Sequence, residues 1–380
     1  MLGVFVGSAA LIIILSVFNG FETLILSMYN KFTPELRIEP AMGKTFDPNT
    51  GVFKTLKTNK NVASFAEILQ EKALLRYGES QFIGTVKGVT DNYAKYKHLD
   101  STILQGSFTL KNGLENLAVI GSSVQNYLSI NINDEFRNID IYSPKKGIQS
   151  SANPIEEFNI KSIHPQGVFT AQQQFDDLVI VPIKFARALL NEETDVSFIE
   201  LNLNEGADID YFQSQLQKNL GNRFIVKNRS EQNELLYKIL NSEKWAIFLI
   251  LTFVLIIAIF NIVGSLTMLV IDKKKDIAIL SSLGADRSLI RNIFFSEGMM
   301  ISLIGCVFGM LVGILFCLLQ QKLGFIKMGA ENLITNAYPI TIQWTDSFLV
   351  FSTVILISML ASFVSSHLSV KQAQDLKGSL

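Results

Sequence analysis

From Trp245 to Ile271 the chain carries no charged residue, and it then runs into Asp272-Lys273-Lys274-Lys275-Asp276. About 20 apolar residues cross a hydrocarbon core of about 30 Å, so this run is long enough to span a bilayer with some tilt. Gly298 to Gln321 and Ser347 to Val370 repeat the pattern, with His367 as their ionisable residue, and Met1 to Phe21 is also uncharged. These segments predict an α-helical membrane protein with four transmembrane helices. The hydrophilic stretch 22–244 becomes a large α+β extracytoplasmic domain inserted between the first and second. The remaining segments are 272–297, 322–346 and 371–380. A hydrophobic content of 48% fits a chain that places part of its length in lipid.

Short loops on the cytoplasmic side retain Lys and Arg. Lys273, Lys274, Lys275, Arg287 and Arg291 lie between the second and third spans, and Lys371 and Lys377 follow the fourth. Between the third and fourth there are Lys322 and Lys327. The first two sites are therefore cytoplasmic, and the large insert and segment 322–346 lie outside. Met1 to Leu11 is apolar from its first residue, with neither a basic leader nor a small-residue cleavage site. It reads as a retained span whose upstream part is missing.

Within the insert, Glu35 to Glu39, Asn138 to Tyr142 and Phe198 to Leu203 alternate as half-buried strands do. Leu178 to Pro182 reads as a strand and Ile183 to Leu190 as a helix. Ala207 to Leu220 and Asn228 to Leu240 are further helices, the second with Asn228 as N-cap and Glu231 three residues on. With no Gly or Pro before the second span, that helix would carry motion of the domain into the membrane. Pro40 to Thr58 and Ser143 to Glu157 read as surface connections or hinges.

A net charge of −1 offers no electrostatic footprint for nucleic acid. Cys306 and Cys317 are about 16 Å apart along one helix, too far to bridge each other. Gly43-Lys44-Thr45 lacks the preceding glycine and following helix of a phosphate-binding loop. His98, His164 and His367 are scattered, and Asp176 and Asp177 read as solvated strand-end carboxylates. No catalytic, metal or cofactor constellation emerges.

Segment 272–297 is the most specific local pattern. Ile277, Leu280 and Gly284, then Ile290, Ile293 and Phe294, follow helical spacing, while Asp286 caps a second helix and Arg287 and Arg291 share a face. Such a hairpin either inserts into a groove of a cytoplasmic partner or lies against lipid headgroups. Gly305, Gly309 and Gly313 form a stripe for close helix approach, within the chain or between subunits. Asn261 lies inside an apolar run, where an amide calls for a bundle partner or a wet cavity.

Several stretches resemble a known family. Val17-Phe18-Asn19-Gly20-Phe21-Glu22 and Asn261 to Val270 look like the first and second spans of lipoprotein-releasing, Lol-type (LolC/LolE-like) ABC transporter permeases. Asp276 to Ala285, then Ile293-Phe294 and Gly298, are similar to the coupling region of the wider MacB/FtsX-like superfamily. Val119-Ile120-Gly121-Ser122, Gly167-Val168-Phe169 and Phe175-Asp176-Asp177 resemble Lol-type outer segments. The chain departs from the family in lacking a basic segment before the first span and prolines in its tail.

The resemblance implies a non-catalytic permease subunit in a bacterial inner membrane, with its large domain in the periplasm. Its partners would be a cytoplasmic ABC ATPase, a second permease subunit, membrane lipid, a lipoprotein substrate and a periplasmic carrier. Ile277 to Phe294 would couple to the ATPase. Phe5, Leu11 and Val17, with Phe253, Ile257, Phe260 and Asn261, would line a lipid cavity. Two other roles stay open: an FtsX-like mechanotransmitting subunit that controls an extracellular partner, and a MacB-like efflux component.

Overall fold

The computed structural model describes residues 1–91, 93, 99–145, 157–170, 175–328 and 337–375. Its helices are α1 (Leu2–Asn30), α2 (Gly51–Lys57), α3 (Ser122–Leu128), α4 (Ile183–Leu190), α5 (Ile209–Leu220), α6 (Arg229–Gln232), α7 (Glu234–Asp272), α8 (Lys274–Ser282), α9 (Arg287–Leu323) and α10 (Trp344–Asp375). The chain divides into one unit of Met1–Ile25 with Leu235–Leu380 and another of Leu26–Glu234.

Among the described residues, the second unit holds strands β1 (Leu36–Pro40), β2 (Val62–Tyr77), β3 (Ser80–Val89), β4 (Ile103–Gly106), β5 (Lys111–Asn112), β6 (Glu115–Gly121), β7 (Ile139–Pro144), β8 (Phe158–Phe169), β9 (Leu178–Pro182), β10 (Phe198–Leu203) and β11 (Phe224–Asn228). They form a sheet of order β11-β1-β10-β2-β3-β9-β6-β8-β4, with β7 paired to β2 and β8 and β5 to β6. Most pairs are antiparallel, but β3 with β9 and β6 with β8 are parallel. The domain is thus mixed α/β, which corrects the α+β reading. Alternation within a strand shows which face is buried, and it is the same for either neighbour direction.

Burial on both faces explains the uninterrupted apolar run of β9. Leu178 and Ile180 pack with Phe32, Phe169 and Phe198, whereas Val179 and Val181 point into the other cluster with Ile120 and Leu189. β10 departs from the half-buried expectation in the same way. Ile199 and Leu201 enter one core, while Glu200 is buried on the opposite face and receives Lys87 Nζ at 2.7 Å.

The stretch from Pro40 to Thr58 is more than a connection. It contains α2, whose Phe53 is fully buried against Phe46 and Phe224. Of the second expected connection, Ser143 and Pro144 end β7, and 146–156 lie outside the described residues.

Asn228 caps α6 in a complete capping box with Glu231. The single helix expected from Asn228 to Leu240 is nevertheless broken at Asn233 (φ −121°, ψ 43°). Asn233 Nδ2 donates to Thr33 Oγ1 at 3.3 Å and Gln232 Nε2 to Pro34 O at 3.1 Å, so side-chain bonds to the start of the domain compete with helix continuation.

In the other unit α1, α7, α9 and Trp344–His367 of α10 are each long and apolar enough to cross a membrane. The helices outrun the apolar segments, α1 continuing to Asn30. Glu22, Leu24, Leu26 and Met28 are good helix formers, and helix propensity does not depend on apolarity.

Candidate functional site

The glycine stripe of α9 faces α1 of the same chain. A Cβ on Gly305 would lie 3.1 Å from Met1 O, and one on Gly313 would lie 3.1 Å from Ala9 O. At Gly309 it would collide with Phe5 O and Ser8 Oγ. The backbones therefore touch where side chains would hold them apart, and Ser8 Oγ also donates to Phe5 O at 3.2 Å. On its other flank α1 meets α7, with Gly7 against Leu255.

The proposed lipid-cavity residues fall into two groups. Leu11 is buried in the bundle core with Val4, Leu15, Leu255, Ile259 and Cys306. Phe5 and Val17 are half-buried. Phe253, Ile257 and Phe260 stand on the opposite side of α7 from Leu255 and Ile259, with Phe260 66% exposed. Leu11 and these three thus do not share one wall.

Asn261 belongs to the exposed stripe, and its side chain has no hydrogen bond to the described residues, which corrects the expected bundle partner. Gly264 and Ser265 beside it are exposed as well, with open space where a Gly264 Cβ would be. This face of α7 presents large apolar side chains around a polar notch. In hydrocarbon an unpaired amide costs several kcal/mol, so the notch suits another helix or the polar part of a ligand.

Past the end of α7, α8 and the start of α9 form a short hairpin. Gly284 takes φ +96°, which turns the chain, and Asp286 accepts from Leu289 N at 2.8 Å to cap α9. Ile290 and Phe294 are buried on Val270, and Ile277 packs against the same small cluster. These residues hold the hairpin to α7. Leu280 is partly exposed and Arg287 is exposed, whereas Arg291 is half-buried. The apolar surface left open includes Ile293, which helical spacing selected, together with three residues that it did not: Ile279, Leu283 (80% exposed) and Leu289. The signal for these three was the presence of apolar residues on more than one face of the hairpin's helical segments.

Two families match the chain. Residues 1–219 match the MacB-like periplasmic core domain, and residues 248–373 match the FtsX-like permease C-terminal region. The chain belongs to the family of MacB-like, FtsX-like permeases. It is 29% identical over 336 residues to the lipoprotein-releasing system transmembrane protein LolC of Buchnera aphidicola (subsp. Schizaphis graminum), covering 86% of this chain and 79% of that one. It is 23% identical over 389 residues to LolE of Haemophilus influenzae, covering 97% and 91%. The periplasmic region of MacB from Actinobacillus actinomycetemcomitans has a TM-score of 0.40 at 12% identity, over 55% of this chain and 96% of that one.

In the permease's large domain, two of the segments that carried the Lol-type resemblance meet. Gly121 lies against the backbone of Asp176, Val124 N donates to Asp176 O at 3.4 Å, and Thr85 Oγ1 donates to Asp177 Oδ2 at 3.1 Å. Asp177 is therefore tied to the sheet at the start of β9 while remaining half-buried. Residues 171–174 and His98 lie outside the described residues. Lys44 of the rejected phosphate-loop pattern pairs with Glu71 at 3.2 Å.

Lys87, Glu200 and Arg37 line a polar cavity of about 170 Å³ beside Phe198, over whose ring the Arg37 guanidinium sits at 3.7 Å. Burial lowers the Arg37 pKa, against the opposing pull of Glu39 and Glu200. Burial, and then Glu200, raise Tyr93 well above the usual phenol range, so it stays neutral. Among the described residues no group of three or more His, Cys, Asp or Glu could hold a metal ion.

Proposed function

We propose that this permease is a subunit of a lipoprotein-releasing ABC transporter in the bacterial inner membrane. It extracts lipoproteins for transfer to a periplasmic carrier and the outer membrane. The observation that carries this reading is similarity along nearly the whole chain to transmembrane proteins named for lipoprotein release. The domain Leu26–Glu234 lies in the periplasm, and the α8–α9 hairpin meets a cytoplasmic ATPase through its exposed apolar residues, Leu280, Leu283 and Ile279, with Arg287 at the rim. The exposed face of α7, with Phe253, Ile257, Phe260 and Asn261, meets acyl chains and a second permease subunit.

The energetics support an external driver. Each acyl CH₂ withdrawn from lipid into water costs about 0.8 kcal/mol, so unassisted extraction is steeply uphill. An apolar wall lowers that cost during transfer, and ATP hydrolysis by the partner supplies the remainder. The test is depletion in the native bacterium while following a lipid-labelled lipoprotein between inner and outer membranes. Accumulation in the inner membrane is expected. Normal sorting accompanied by a cell-wall or division defect would replace this reading with mechanotransmission.

A further inference from the structure

At the end of the bundle where α1 leaves its apolar segment, three helices converge on one carboxylate. Asn19 Nδ2 of α1 donates to Asp346 Oδ2 of α10 at 2.7 Å, and Lys244 Nζ of α7 lies 3.0 Å from the same oxygen. Lys244 also donates to Gln343 Oε1 at 3.2 Å. Asn19 is fully buried and Asp346 nearly so, which leaves water little access to compete.

The chain leading into α10 closes over the same end. Thr341 N donates to Ser16 O at 3.0 Å, Tyr338 meets Phe21 edge-on at 5.8 Å, and the backbone of Pro339 and Ile340 occupies the space where a Gly20 Cβ would stand. Trp245 and Trp344, one and two residues from the ion pair, are both exposed, as aromatic residues at headgroup level are. Below this level α1 and α7 meet through Gly7, Leu11, Leu255 and Ile259, contacts without direction or charge.

We infer that Asp346 is a positioning residue for lipoprotein release, the shared acceptor of a clasp that holds the outer ends of α1 and α7 together and must open for the acyl chains to pass. The inference rests on the lipoprotein-release reading. Unlike the apolar contacts beneath it, a charge-assisted pair breaks over a small displacement and re-forms with the same geometry. That makes the outer end, and not the bundle core, the place where α1 and α7 part. Asn19 suits either sign of charge, since its amide donates to a carboxylate and accepts from an ammonium.

The full chain, reconstituted with its ATPase and permease partners in lipid vesicles, would be spin-labelled at Thr23→Cys and Glu243→Cys. The two native cysteines are buried and stay unlabelled. Without nucleotide, the unsubstituted clasp should give one narrow α1–α7 distance. Asp346→Ala should broaden it, with the closed-to-open ratio falling roughly tenfold, as loss of one charge-assisted hydrogen bond implies. Lipoprotein released per ATP hydrolysed should fall with it. Reversing the pair, Lys244→Asp with Asp346→Lys, should restore both readouts.

An unchanged distance in Asp346→Ala, or a reversed pair that assembles yet restores neither readout, overturns the inference. If Asp346→Ala does not assemble, Lys244→Gln takes its place with the same two outcomes. Failure of the unsubstituted complex to release lipoprotein would sink the functional reading instead, and the distances would still report on the clasp.

Discussion

The domain Leu26–Glu234 and the helical unit solve packing with opposite side chains. In the domain, large residues such as Phe53, Leu75, Ile120 and Phe169 fill two cores on either side of a sheet. In the helical unit, Gly305, Gly309, Gly313 and Ser8 bring backbones into contact, while large residues on α7 face outward. Water drives the first arrangement by expelling apolar area. In lipid that drive is absent between helices, so close van der Waals approach takes over. The domain should consequently be sensitive to lost atoms and the helical unit to added ones.

The strongest test of the comparison removes Lys87. Lys87→Ala removes the ammonium in direct contact with the buried Glu200 carboxylate and leaves Arg37 as the nearby cation, and should cost about 3–5 kcal/mol in denaturant unfolding followed by a signal from the domain. Replacing both partners, Lys87→Met with Glu200→Leu, should recover most of that loss; equal damage would show that the pair contributes more than mutual neutralisation. Next comes Gly309→Leu, which adds atoms where α1 and α9 touch. It should destabilise the helical unit in detergent by about 1–3 kcal/mol, as overpacking does, and leave the domain's unfolding transition unmoved.

Smaller effects sharpen the contrast. Leu283→Asp alters a side chain exposed to solvent, so melting should shift by less than about 0.5 kcal/mol, while ATPase stimulation by the permease should drop clearly if the hairpin docks through this surface. Asn228→Ala removes one half of the capping box on α6 and should cost about 1 kcal/mol, seen as a small fall in the domain's midpoint.

The parts of this molecule legible in its sequence are those governed by local rules. Charge-free runs marked the helices that can cross a membrane, alternation marked β1, β7 and β10, and Asn228 with Glu231 marked a helix start. The unread parts depend on partners far along the chain. Glu200 looks like a solvent-face residue until Lys87, two strands away, is placed beside it. Phe53 looked like part of a connection because the Phe224 that buries it lies in a distant strand.

The site residues divided for the same reason. Helical spacing identified Ile290, Ile293 and Phe294, but Ile290 and Phe294 pack inward on Val270, and what is left for a partner is Ile293 with Leu283 and its neighbours. Spacing on one helix cannot distinguish a face that meets the same chain from one that does not. Asn261 was noticed as an amide in an apolar run, yet its exposure depends on where α1, α9 and α10 do not reach.

The placement of β1 has a consequence for how the chain is made. Leu36 is flanked by Leu201 on one side and Asn228 on the other, so the earliest strand synthesised has neighbours among the last. Both of its edges stay open while the intervening residues emerge, and an open edge invites pairing with foreign strands. β1 is enclosed on its second side only by β11, close before α7. A nascent chain interrupted before β11 would therefore leave β1 exposed as the edge of the sheet, and the edge passes to the five-residue β11 once synthesis reaches the second long helix.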